Sequence, residues 1–426
     1  MINELKNNFE KITKELSGTE KIFNYRKENF LEFEKNGFPN KTLEDWKFSD
    51  FNQLIKNNFK EIHVNYKKKK QELNFKNFIN NFDHNYIIFH NGFLKNYSFK
   101  FEKEQFIEFN TFEKITDLEK IILGKNIKKN SLISFNNAFF TDGIFLNIKE
   151  NYKCKKPFVI YNLFDASEKI NSFNQKLIVN LSKNSQLDLV NQIINLNSSS
   201  ILFNFNQEFL INENSILKKF DLDNFNGKDL IYNFLKTNIN KNGIFENFIF
   251  ASKAGFRKDE INSNLLGEHS SSFVNGAMYL DDNKQHEIKT NINHQEKNTK
   301  SYQKIKSIVN ESAKGVFQGK IFVNSKAQKT NAYQLSKALL LDNNCEFDSK
   351  PELEIYADDV KCSHGSTSGN LDQDSIFYLM SRGLNYHQAK NLLVKAFLFD
   401  AIESITNKDV KKFFIEILDN KLHGTK

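Results

Sequence analysis

Apolar residues recur at helical spacing at both ends of the chain and at alternate positions through its middle. Ile2, Leu5, Phe9 and Ile12 share one helical face, and a charged-apolar run from Lys21 to Asn36 stops at Gly37 with Pro39 just beyond. These predict a helical unit over roughly the first 60 residues. From about His63 the period drops to two, and NYIIFHNGF (Asn85 to Phe93) reads as a strand entering an Asn-Gly turn. Beyond Leu132, SLISFNNAFF, GIFLNI, PFVIYNLF, KLIVNL, QLDLVNQIINL, ILFNFNQEFLI and ILKKFDL each read as a short strand.

The turns between these strands repeat. Asn184-Ser185, Asn214-Ser215 and Asn242-Gly243 stand at steps of 30 and 28 residues, and Glu268 to Phe273 falls in register after them. A recurring polar turn with several strands and no crossover helix predicts a β-solenoid whose coils stack, with a sandwich or barrel as the alternative. The 44 phenylalanines are then read as core rather than as a binding platform, and Trp46 as a packing anchor. GVFQGKIFV (Gly315 to Val323) continues the alternation after a turn at Asn310 to Lys314.

The stretch from Pro351 to Gly383 joins two kinds of pattern. It opens as a strand with Leu353, Ile355 and Ala357 on one face, passes through Asp358 and Asp359, and reaches Cys362 and His364. A Gly-Ser-Thr-Ser-Gly turn is expected at Gly365 to Gly369, and Asp372 opens a helix that ends at Gly383. Two more amphipathic helices follow. Ala389, Leu392, Leu393, Ala396 and Phe397 form the stripe of one, and Val410, Phe413, Phe414, Ile417 and Leu418 that of the other.

A chain of 426 residues, 39% of them apolar, is long enough for two or three packed units. The net charge of +8 does not point to nucleic acid, because Asn and Phe, which add nothing to phosphate binding, are enriched together with Lys. Lys67 to Lys70 is the one dense basic block and reads as a solvated loop or strand edge. Three widely spaced cysteines argue for a reducing compartment. No apolar run reaches the ~20 residues that span a bilayer, so neither membrane nor nucleic acid is expected as a partner, and the cytoplasm is the expected location.

No phosphate loop, dinucleotide fingerprint, H-E-x-x-H or Cys-x-x-Cys motif occurs. His269, His286 and His294 are too widely spaced for a compact metal site and read as surface or core-satisfied residues. Cys362 and His364 are different: in a strand, residues two apart face the same side, so a thiolate and an imidazole can address one metal. Two ligands do not complete a tetrahedral site, so others must come from elsewhere in the chain or from a second subunit. A small core cysteine beside a turn histidine is the competing reading. A polysaccharide-acting β-helix enzyme is a further alternative, although Asp358 and Asp359 are adjacent and would face opposite sides of a regular strand.

PELEIYADDVKCSHGSTSGNLDQDSIFYLMSRG, with GVFQGKIFV and AQKTNAYQLSKALLL before it, resembles the SufD family of the SUF iron-sulfur cluster assembly system. GFPNKTLEDWKFSDF near the N-terminus is similar to an early motif of that family. The resemblance implies a mainly β fold: an N-terminal helical domain (1–84), a right-handed parallel β-helix core (85–369) and a C-terminal helical domain (370–426). It also implies a non-catalytic scaffold that pairs with SufB through the β-helix, docks the SufC ATPase through its C-terminal helices, and binds no ATP itself. A transient iron-sulfur cluster or iron would sit at the SufB interface, with His364 as metal ligand and Cys362 in the neighbouring thiol position. A purely structural interaction module is the remaining alternative, and it requires both side chains to be packed out of reach.

Overall fold

In the computed structural model, described for residues 2–16, 19–67, 74–112, 130–167, 170–224 and 228–423, successive strands from Asp142–Ile148 onward alternate between two sheets. Among the described residues one sheet has ten strands and the other nine, and from Ser172–Leu181 onward each strand pairs in parallel with the strand two before it. That is a β-solenoid of two strands per coil.

Three layers of apolar contact hold it. Inward-facing residues such as Phe173, Phe203, Phe209, Ile249 and Phe317 form a continuous internal core. The outer face of the nine-stranded sheet, with Tyr232, Phe234 and Phe256, is covered by α1 (Ile2–Glu15), α2 (Glu20–Asn36), α3 (Phe51–Asn58) and α4 (Ser131–Phe139). Trp46 is buried there as expected, against Phe51, Tyr232 and Phe256, with the Lys258 ammonium 4.1 Å from its ring centroid. The outer face of the ten-stranded sheet is covered by α6 (Tyr386–Ile402) and α7 (Lys408–His423), with α5 (Gln373–Ser381) leading into them.

The repeated asparagine turns hold one corner of the solenoid. Asn151, Asn184, Asn214, Asn242, His269, Asn298 and Lys329 all adopt left-handed backbone conformations, which Asn tolerates better than most residues. Each backbone N–H in this file donates to a carbonyl of the next coil, as from Asn184 to Glu213 and from Asn214 to Lys241. The side-chain amides stack too: Asn184 donates to Asn151, Asn214 to Asn184 and Asn242 to Asn214, at 2.7–2.9 Å. The expected register at Glu268 to Phe273 is met by His269 at the turn.

Four local readings differ from the structure. SLISFNNAFF is not a strand but the helix α4. The Asn130 side chain caps it by accepting from the Leu132 and Ile133 amides, and Arg26 donates to the Ala138 and Phe140 carbonyls at its end. Its residues from Leu132 to Phe139 are all buried, so no polar face marks the helical period. The strand entering the C-terminal stretch is Glu346–Ile355 and ends before Ala357, leaving Asp358 and Asp359 in the bend that follows. Gly365 to Gly369 is no turn: it lies within the strand Lys361–Asn370, because pairing with Leu335 to Leu339 supplies the hydrogen bonds its composition does not favour. In α6 the covered positions are Ala389, Val394, Leu398, Ala401 and Ile402, while Leu392 is 46% exposed. Apolar residues lie nearly all round that helix, so packing rather than spacing selects the face. The stripe of α7 is buried at Val410, Phe414 and Leu418 as expected. Lys68 to Lys70 lie outside the described residues.

Candidate functional site

The solenoid ends on two uncovered strands. Glu346–Ile355 is the terminal strand of the nine-stranded sheet, and Lys361–Asn370 that of the ten-stranded one. Neither contains a buried residue, whereas Ser172–Leu181, near the other end of the stack, is buried at all but one position. Each terminal strand pairs on one side only and presents a free row of backbone donors and acceptors on the other.

Cys362 and His364 stand on the last strand, opposite Ala332 and Gln334 of the strand Asn331–Leu340. The pairing is regular throughout, so both side chains point to the same face. Cys362 is half-buried against Ala332, Val323 and Ala357, and burial pushes its thiol above the ordinary value. It is therefore a neutral thiol near pH 7 until a metal or another charge displaces its proton. His364 is exposed, held in place by backbone pairing rather than by packing. Below it Gln334 is fully buried with its Oε1 unpartnered, so the interior becomes polar beneath the exposed imidazole.

Among the described residues, no third His, Cys, Asp or Glu brings a ligand atom close enough to Cys362 and His364 to make a metal set. Asp358 and Asp359 do not join them: the Asp359 backbone is engaged with Lys329 and Gln328 in the preceding turn. The other histidines lie elsewhere. His286 is buried on the Ala254 carbonyl, His294 is buried between the Thr299 and Ser301 hydroxyls, and His269 is an exposed turn residue.

A second exposed surface adjoins this end. Only Ile376 of α5 is buried, and Phe377 is 75% exposed beside the exposed Tyr378 and Met380. The periodicity that predicts this helix gives no hint that its aromatic side faces outward.

An open groove of about 700 Å³ runs along the nine-stranded sheet beside Glu44 and Asp45, and it contains Glu260 and Glu352. Its carboxylates are paired with lysines: Glu260 and Asp45 with Lys289, Glu44 and Glu352 with Lys350. The Lys350 contact holds Glu44 below the usual carboxylate range. Glycoside hydrolysis needs one carboxyl kept protonated beside one free carboxylate, and ion-paired acids do not provide that.

The family model "SUF system FeS cluster assembly, SufBD core domain" matches residues 163–397, and "SufBD protein N-terminal region" matches residues 3–160. The iron-sulfur cluster assembly protein SufD of Escherichia coli is 36% identical over 160 residues, covering 38% of each chain. An iron-sulfur cluster assembly SufBD family protein of Synechocystis sp. is 49% identical over 100 residues, which cover 24% of this chain and 22% of the relative. The SufD of Bacillus subtilis is 31% identical over 133 residues, covering 31% and 30%. The matched stretches thus span well under half the length of these relatives. Among the described residues no helix is long and apolar enough to cross a membrane.

Proposed function

The chain belongs to the SufBD family of the SUF iron-sulfur cluster assembly system, and on that premise we propose that it is a non-catalytic scaffold subunit of the assembly complex. The observation that carries this reading is the uncovered last coil with Cys362 and His364 on it. A partner strand added to either free edge, as SufB would supply, extends the ladder by main-chain hydrogen bonds. It also brings a second set of side chains over the two incomplete ligands.

At such a junction His364 would bind iron of the nascent cluster through one ring nitrogen, with the remaining thiolates largely from SufB. Cys362 would serve as an auxiliary ligand or neighbour. Its half-burial favours that lesser part, since a protonated thiol binds metal only after giving up its proton. The exposed Phe377, Tyr378 and Met380 of α5 form the apolar face on which SufC would dock, so ATP hydrolysis belongs to that subunit and not to this chain.

The test is complementation of a strain lacking its own SufD. The His364→Ala variant should fail to restore cluster assembly, and full activity would remove the proposed ligand role. Co-purification with SufB and SufC, followed by anaerobic spectroscopy, checks the partners. Capture of neither counts against the scaffold assignment.

A further inference from the structure

The opposite end of the molecule holds a second set of ligating side chains. Glu4 in the first turn of α1 meets Glu61 and His63 on the segment that leads into the solenoid, and one ligand atom from each lies within 4.8 Å of both others. The His63 Nε2 is 3.3 Å from Glu61 Oε2. Glu4 comes from an element far in sequence from the one that carries Glu61 and His63.

Both elements are anchored independently of the cluster. Glu61 and His63 alternate with Ile62 and Val64, which are buried in the same apolar cluster as Leu5, the neighbour of Glu4. Alternation in an extended segment therefore turns Glu61 and His63 together away from that core. Asn171 clasps this segment on both sides: its amide nitrogen donates to the Glu61 carbonyl at 2.9 Å, and its oxygen accepts from the His63 N–H at 2.9 Å. The His63 carbonyl in turn accepts from the Asn171 and Ser172 amides at 3.1 Å. The imidazole and one carboxylate are thus presented from a backbone fixed to the first coil.

Two carboxylates brought this close repel each other unless something positive joins them. A divalent cation does. We propose that Glu4, Glu61 and His63 bind one divalent first-row metal ion, with the His63 Nε2 and a carboxylate oxygen from each glutamate as ligands and water in the remaining positions. The mixed nitrogen and oxygen donor set suits zinc or ferrous iron better than calcium or magnesium, which take oxygen ligands. The ion would join α1 to the start of the solenoid. It is independent of Cys362 and His364 at the other end.

The experiment titrates the full-length chain with Co(II), then displaces it with Zn(II), following the visible d–d band and the unfolding temperature. One equivalent of Co(II) should bind, and Zn(II) should raise the unfolding temperature. The Glu4→Gln and His63→Ala variants should each weaken binding by about tenfold or more and abolish that rise. The double variant Cys362→Ser, His364→Ala should keep both signals. Glu4→Gln retains the shape of the side chain, so it decides the matter even if His63→Ala is poorly folded by circular dichroism. Absence of binding, or binding that survives Glu4→Gln and His63→Ala but not the double variant, overturns the proposal.

Discussion

The two ends of the solenoid are built on opposite principles. At the first end each sheet is closed by an antiparallel strand: Phe93–Ser98 pairs with Asn85–His90, and Ile107–Thr111 with Asp142–Ile148. Helices α1 to α4 pack on the coils that follow. At the last end both sheets stop on parallel strands with nothing beyond them among the described residues, and their side chains are half-buried or exposed. The antiparallel strands break the parallel coil repeat at the first end, whereas the last coil keeps the direction of the coils before it.

Matched truncations should separate the two ends most clearly. Phe173→Ala, in the fully buried interior near the closed end, should cost ~3–5 kcal/mol in chemical denaturation. Leu353→Ala on the open coil should cost about 1 kcal/mol, because much of its surface already meets water. Equal losses would erase the contrast.

Acid tests how far the open end admits water. His294 lies two coils in from that end, and burial pushes it down to about 3. An unfolded histidine titrates near ~6.5. The unfolded state therefore binds the extra proton between those values: this stabilisation is complete above ~6.5 and is lost as the pH falls toward 3. His294→Gln should flatten that part of the stability curve. If wild type and variant fall together, the last coils open to solvent before the rest unfolds.

Asn184→Ala, at a left-handed corner in the closed half, should cost about 1–2 kcal/mol, and Asn184→Gly should recover part of it. The smallest effect belongs to the residue with the largest proposed role. His364→Ala should change stability by less than about 0.5 kcal/mol while cluster assembly is lost, measured on the same preparation.

The corners were the most legible part of the fold, because a left-handed turn restricts residue type directly and the asparagines recur coil after coil. Elements whose surroundings are uniform were not. Helix α4 is buried on every side from Leu132 to Phe139, so its sequence carries no amphipathic signature. Gly365 to Gly369 has turn composition but is held extended by a neighbour more than twenty residues away, which local preference does not register. The same limit applies to the sites. Cys362 and His364 are close in sequence and were visible as a pair, while Glu4 and Glu61 meet only after two elements have packed together.

The asparagine file also determines where the chain can change length. Successive partners along it are separated by 33, 30 and 28 residues, yet the corner itself keeps its pairing through all three steps. The surplus leaves at the opposite corner, where residues 196–201 join two strands that residues 252–255 join more briefly two coils later. An affinity tag or fluorophore inserted after Asn197 would hang from the side where the repeat already varies. It would report on partner capture from a corner that Asn197 ties to the preceding coil through Asp165 and the Ala166 carbonyl.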